Sequence, residues 1–208
     1  MKTRAIKIMA RRDFFKILTK YYSVPIADSV IILDNTKTPV EDRYVLEKAV
    51  KSIRPKIVLE IGTYLGETTL ELAKNSPTSK IYTIDICEEM QVDIPYLQED
   101  ELLPRKKVGK AFRNKNRNIF QILGDSRQFS TYSFLNGKKI DFAFIDGNHS
   151  LEAVIQDTEN VLNFMQKNSI IFWHDFRAEV REALSYLITK KPLEIFQIHK
   201  TSLAYSIL

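Results

Sequence analysis

The chain has a single cysteine, Cys87, among its 208 residues. That excludes an intrachain disulfide framework and any zinc site built from several thiolates. A lone cysteine just after a predicted strand reads as a small buried side chain, compatible with a reducing compartment. Histidine is nearly as scarce, with three in the chain. None forms a His-x-x-x-His pair, so a helical zinc centre is excluded as well. No apolar run approaches the roughly 18 residues of a membrane-spanning helix. The opening stretch, MKTRAIKIMARRDFFKILTK, is basic but lacks a long apolar centre and a small-residue cleavage pattern, so it does not read as a signal peptide. It reads as an amphipathic helix packed on the domain, the other reading being a membrane or partner surface. A cytoplasmic location is expected. Internal repeats and low-complexity tracts are absent.

What is present suits one domain spanning 1–208. The hydrophobic fraction is 44% and the charged fraction 27%, so a sizeable core is available. The net charge of +5 is concentrated in the first 20 residues and in Arg105 to Arg117. Short apolar segments alternate with helical ones. KIVLEI, KIYTIDI, NIFQIL, KIDFAFID and SIIFWHD read as strands, and helices are expected over Val40 to Ser52, after Gly66, after His149 and over Glu179 to Ile188. Nearly continuous apolar strands separated by helices predict an α/β, Rossmann-like, mostly parallel sheet with flanking helices. LEIFQIHKTSLAYSI reads instead as a C-terminal antiparallel strand pair. Residues 1–39 are expected to form a helical extension. Residues 88–118 are expected to form a cap-like insertion, marked by Pro95, Pro104 and Gly109. Its seven basic residues would favour an anionic or polar small molecule.

Ligands of open parallel sheets bind outside the carboxyl ends of the strands. Those ends carry Glu60, Asp85, Asp125, Asp146 and Asp175. In VLEIGTYLGETT, Gly62 permits a tight turn, and Gly66 permits close backbone approach at a helix start. The dinucleotide fingerprint needs a middle glycine for the pyrophosphate, and Tyr64 stands there instead. Asp85 is placed to accept hydrogen bonds from a ribose diol, and Asp125 with Ser126 could meet a base edge. IDGNHS and WHD bring Asp146, Asn148, His149, His174 and Asp175 to neighbouring strand ends. Two carboxylates with imidazoles can hold a hard divalent cation or pair with a histidine as general base.

VLEIGTYLGETT, IYTIDI, QILGDS, FAFIDGNHSLEAVIQD and IIFWHD together resemble the class I S-adenosylmethionine-dependent methyltransferases. They are most similar to the methyltransferase 24 group, related to catechol-type O-methyltransferases and cephalosporin-hydroxylase-like proteins. The resemblance implies S-adenosylmethionine as cofactor and a small-molecule hydroxyl as acceptor. It implies cofactor contacts from Glu60, Gly62, Thr63, Tyr64, Gly66, Asp85, Ile86, Asp125, Ser126 and Asp146. It makes His149, with Asp146, the catalytic candidate, since no lysine follows Asp146 closely. Metal-dependent relatives would bind magnesium through Asp146 and Asp175 with His174 as the third ligand, and a metal-free site stays open. A nucleic-acid acceptor is disfavoured, because an Asn/Asp-Pro-Pro-Tyr-type motif is missing. A homo-oligomer is left open, as is a non-catalytic protein that retains the cofactor pocket.

Overall fold

β-branched, apolar runs of five or six residues form the parallel centre of one sheet, because each is buried on both faces. The computed structural model describes residues 5–33, 37–90, 92, 102–113 and 116–208. In chain order the elements are β1 (Lys7–Met9), α1 (Arg11–Tyr22), α2 (Val40–Ile53), β2 (Ile57–Ile61), α3 (Glu67–Asn75), β3 (Lys80–Asp85), β4 (Ile119–Leu123), β5 (Ile140–Ile145), α4 (Leu151–Phe164), β6 (Met165–Trp173), α5 (Ala178–Lys190), β7 (Phe196–Ile198) and β8 (Ala204–Ile207). Two short 3-10 segments, Glu88–Met90 and Phe129–Leu135, lie between strands.

The eight strands are ordered β1-β7-β8-β6-β5-β2-β3-β4. Strands β6, β5, β2, β3 and β4 are parallel neighbours, while β8 runs antiparallel to both β6 and β7. The fold is therefore the Rossmann-like class expected, with its C-terminal antiparallel pair. Strand alternation sorts the side chains between two cores. Leu59, Ile61, Ile145, Ile171 and Trp173 meet α4 and α5, whereas Val58, Phe142, Phe144 and Phe172 meet α1 and α2.

The described residues among the first 39 are less helical than expected. They begin with β1, a three-residue strand that pairs in parallel with β7 at the sheet edge. Helix α1 follows and packs on the domain. Its Phe14 and Leu18 are fully buried, and the Phe14 ring lies 4.7 Å from that of Tyr205 and 5.9 Å from that of Phe172. Burying a phenylalanine this completely contributes about 1.5–3 kcal/mol, which accounts for the helix lying on the sheet. Among the described residues, no helix is long and apolar enough to cross a membrane.

Chain direction reverses about β2 and β5: the chain leaves β2 toward β3 on one side, and leaves β5 toward β6 on the other. The crevice at such a switch point is where ligands enter open sheets. Of the expected strand-end acids, Asp85, Asp125, Asp146 and Asp175 surround it.

Candidate active site

The floor of the crevice is backbone. Gly62 sits at φ +95°, its N–H donates to the Ile84 carbonyl at 2.9 Å, and the Asp146 N–H donates to the Ile61 carbonyl at 2.8 Å. A Cβ on Gly62 would stand 2.0 Å from the Asp146 carbonyl oxygen. The two loops therefore touch at the one residue that can permit it. Above them lies a cavity of about 290 Å³. Its wall includes Gly62, Thr63, Tyr64, Asp85, Ile86 and Asp146, and also Ser126, His149, His174 and Asp175.

Asp85 braces the glycine turn as well as facing the cavity. Its Oδ2 accepts from the backbone N–H groups of Thr63 at 3.0 Å and Tyr64 at 2.6 Å, and its Oδ1 accepts from Ile86 N–H at 2.8 Å. Burial nonetheless holds its pKa above the ordinary value, those hydrogen bonds working in the opposite direction. Asp125, expected beside a base, lines the cavity and is bonded to its neighbour Arg127. The Arg127 side chain donates to both carboxylate oxygens at 2.9 Å, and the Arg127 backbone N–H donates to Oδ1 at 2.9 Å. These bonds outweigh burial and keep the Asp125 carboxyl below its usual range.

Glu60 and Gly66 do not line the cavity. The Glu60 side chain points into the layer under α3, where it accepts hydrogen bonds from Thr69 and from Thr83, the latter at 2.7 Å. Its Oε1 has no partner. Burial raises its pKa to about 8, the two threonine bonds opposing this. A folded-state value above the unfolded one makes the folded chain bind the extra proton. The resulting stability is complete below about pH 4.5 and is lost as pH rises through about 8. Glu60→Gln removes this titration. The difference in unfolding free energy, variant minus parent, is expected to rise by on the order of 4 kcal/mol between pH 5 and pH 9, as urea denaturation would read. A pH-independent difference would show that Glu60 is ionised in the fold.

The described part of the insertion does not reach the cavity. The N–H groups of Gly109 and Ala111 donate to the carbonyls of Tyr64 and Leu65 at 2.8 Å, and Phe112 covers Gly66. The Arg113 guanidinium is spent on the carbonyls of Lys106, Arg105 and Val108. The segment buttresses the outer side of the glycine turn, and none of its described residues lines the cavity. Pro95 and Lys115 lie outside the described residues. The lysine in the cavity wall is Lys37, from the segment before α2, with its ammonium 4.5 Å from the centre of the Tyr64 ring.

At the ends of β5 and β6 the acidic and imidazole groups do converge. An Asx turn, with Ser150 N–H donating to Asn148 Oδ1 at 2.8 Å, projects His149 from the start of α4. His149 Nε2 is 3.5 Å from Asp146 Oδ1, and its Nδ1 is 3.7 Å from Asp175 Oδ2. Burial works against the charged ring, but these two carboxylates outweigh it and raise the His149 pKa. His174 is buried more deeply. Its Nε2 bonds Asp42 Oδ2 at 3.1 Å, while its Nδ1 lies 2.9 Å from Asp146 Oδ1 without hydrogen-bond alignment. Burial disfavours the imidazolium, yet Asp146 and Asp42 raise its pKa to about 10.

His174, expected as the third metal ligand, is engaged through Nε2 with Asp42. The ligand atoms that gather within 4.8 Å belong to Asp146, His149 and Asp175. Asp42 was missed by sequence reasoning. It comes from α2, 132 residues before His174, and its other oxygen accepts from Ser202 N–H at 2.9 Å.

Residues 59–176, more than half of the chain, match the methyltransferase domain family. A probable O-methyltransferase of Mycobacterium tuberculosis is 23% identical over 171 residues, which cover 78% of this chain and 68% of the relative. Among solved structures, the O-methyltransferase TomG of Streptomyces achromogenes, involved in tomaymycin synthesis and crystallised with S-adenosylmethionine, superposes with a TM-score of 0.61 at 12% identity. The match covers 98% of this chain and 91% of TomG. Fibrillarin in its complex with Nop5p superposes with a TM-score of 0.55 at 14% identity, covering 96% and 98% of the two chains. At such identities the likeness is one of fold.

Proposed function

We propose that this chain, which belongs to the methyltransferase domain family and is a class I S-adenosylmethionine-dependent methyltransferase, methylates a hydroxyl oxygen of a small molecule. The observation that carries this reading is one cavity with two chemically different ends. Asp85 and the glycine turn form one end, and Asp146, His149 and Asp175 form the other. The first end offers carboxylate and backbone groups to the ribose and the methionine portion. At the second end, carboxylates favour the positive sulfonium and hold an imidazole where an acceptor proton would be released. An acceptor oxygen attacks the methyl carbon, the carbon–sulfur bond breaks, and its electron pair returns to sulfur. The hydroxyl proton passes to His149. Since the sulfonium supplies the driving force, alignment of donor and acceptor is the protein's main task.

A small acceptor is favoured over a nucleic acid by the likeness to O-methyltransferases. The basic stretch offers no described residue to the cavity, and Lys37 is the basic side chain best placed to favour a polar or anionic acceptor. Asp146, His149 and Asp175 also suit a divalent cation, magnesium included, which would neutralise the acceptor oxygen as its proton leaves.

The test is titration with S-adenosylhomocysteine, followed by transfer of isotope-labelled methyl from S-adenosylmethionine to a panel of phenols and hydroxy acids. Saturable binding and labelled methyl ethers are expected. No binding by the folded protein overturns the cofactor reading, and label found only on nitrogen or carbon overturns the oxygen acceptor. Transfer that persists in a chelator assigns the proton to His149 alone, whereas transfer lost in chelator and restored by magnesium assigns a cation.

A further inference from the structure

Asp157 lies on α4, with its side chain reaching the cavity wall beside Ser126 and Gly147. It is 1% exposed, and its Oδ1 has no hydrogen-bond partner. Among the described residues lining the cavity, this is the one buried carboxylate oxygen without a partner. Burial raises the Asp157 pKa to about 7, with repulsion from Asp125 adding to the effect and a hydrogen bond with Ser126 opposing it. A carboxyl group left this way destabilises the empty protein, because a desolvated acceptor without a donor is costly. A donor supplied by a ligand would remove that cost.

The surroundings narrow the choice of ligand atom. At the end of β4 the other acceptors are already in use. Asp125 already accepts three hydrogen bonds from Arg127, and the Ser126 carbonyl accepts from Tyr132 Oη at 2.9 Å and Asn160 Nδ2 at 3.0 Å. The Arg127 carbonyl accepts from Asn160 Nδ2 at 2.8 Å. With the ribose toward Asp85, the base extends one strand further, toward β4 and Asp157.

We propose that Asp157 selects the adenine of the cofactor, its Oδ1 accepting a hydrogen bond from the exocyclic 6-amino group. This rests on the reading that the cavity holds S-adenosylmethionine. It moves base recognition from Asp125, the residue the sequence suggested, to an acid on the helix opposite.

Calorimetry at pH 8.5, where the Asp157 carboxyl is ionised, tests it with S-adenosylhomocysteine and its 6-oxo analogue S-inosylhomocysteine. A carboxylate accepts from an amino group but repels a carbonyl, so the parent protein is expected to prefer the adenine ligand by about tenfold or more. Asp157→Ala is expected to weaken S-adenosylhomocysteine by about tenfold and to erase most of the preference. Asp157→Asn can turn its amide to donate to a 6-oxo group, so it is expected to bind S-inosylhomocysteine more tightly than the parent does. It keeps the test decisive should the alanine variant fail to fold. A parent protein that binds the adenine ligand and does not discriminate overturns this inference alone, as does an Asp157→Asn variant that keeps the full preference. A folded parent that binds neither ligand overturns the cofactor reading and this inference with it.

Discussion

Replacing Gly62 by alanine is expected to weaken S-adenosylhomocysteine binding by about a hundredfold or more, equivalent to about 2.7 kcal/mol. Two independent causes act together. The residue holds φ +95°, which an L side chain adopts only under strain, and the new Cβ would lie 2.0 Å from the Asp146 carbonyl oxygen. That contact is with backbone, so no rotamer change relieves it. The loops after β2 and β5 must move apart, separating Thr63 and Tyr64 from Asp146 across the width of the cavity. Strain of this kind costs about 1–3 kcal/mol, so the melting temperature should fall as well. Calorimetry paired with thermal denaturation reads both effects. Near-parental affinity in the variant would mean that the ligand does not lie across these two loops.

His149→Ala is expected to lower methyl transfer by about 10²- to 10⁴-fold, the usual contribution of a positioned base, while leaving S-adenosylhomocysteine affinity close to that of the parent. The basis is geometric. His149 is the partly exposed imidazole at the acceptor end of the cavity, with Asp146 and Asp175 at 3.5 and 3.7 Å. Those carboxylates raise its pKa against the effect of burial, and a base acts only when neutral. Parent activity should therefore increase as pH rises through a value above the ordinary 6.5 of histidine and then level off. The variant should lose that rise. Single-turnover rates across the pH range would measure both effects. A variant that transfers methyl groups at the parental rate, with the same pH profile, would leave His149 no part in proton removal.

Much of this architecture was legible in the chain because it is encoded locally. The five central strands are runs whose apolar content holds only if both faces are buried, and the helices between them fix a parallel order. VLEIGTYLGETT, IYTIDI, IDGNHS and WHD each place their polar residues at a strand end, so Gly62, Asp85, Asp146, His149 and Asp175 meet once the sheet forms. Strand alternation also carries the reason Glu60 misses the cavity. It shares the face of Val58, which packs against the α2 side, and not that of Ile61, which turns toward α4.

By itself the sequence determined the mostly parallel sheet and the identity of most groups around the cavity, since period and strand-end position are properties of neighbouring residues. Only the tertiary structure decided how those groups are used. No spacing within the chain foretells that Asp42 reaches His174 from 132 residues away and helps to raise its pKa. Nor does any spacing foretell that Lys37 reaches the cavity while the basic insertion braces the glycine turn from outside. Arg127 bonds both carboxylate oxygens of Asp125, and helix α4 brings Asp157 to the cavity wall. Hydrogen bonding and charge pairing act through space over a few ångströms, so the roles of these side chains were fixed by which partners the fold brought within reach.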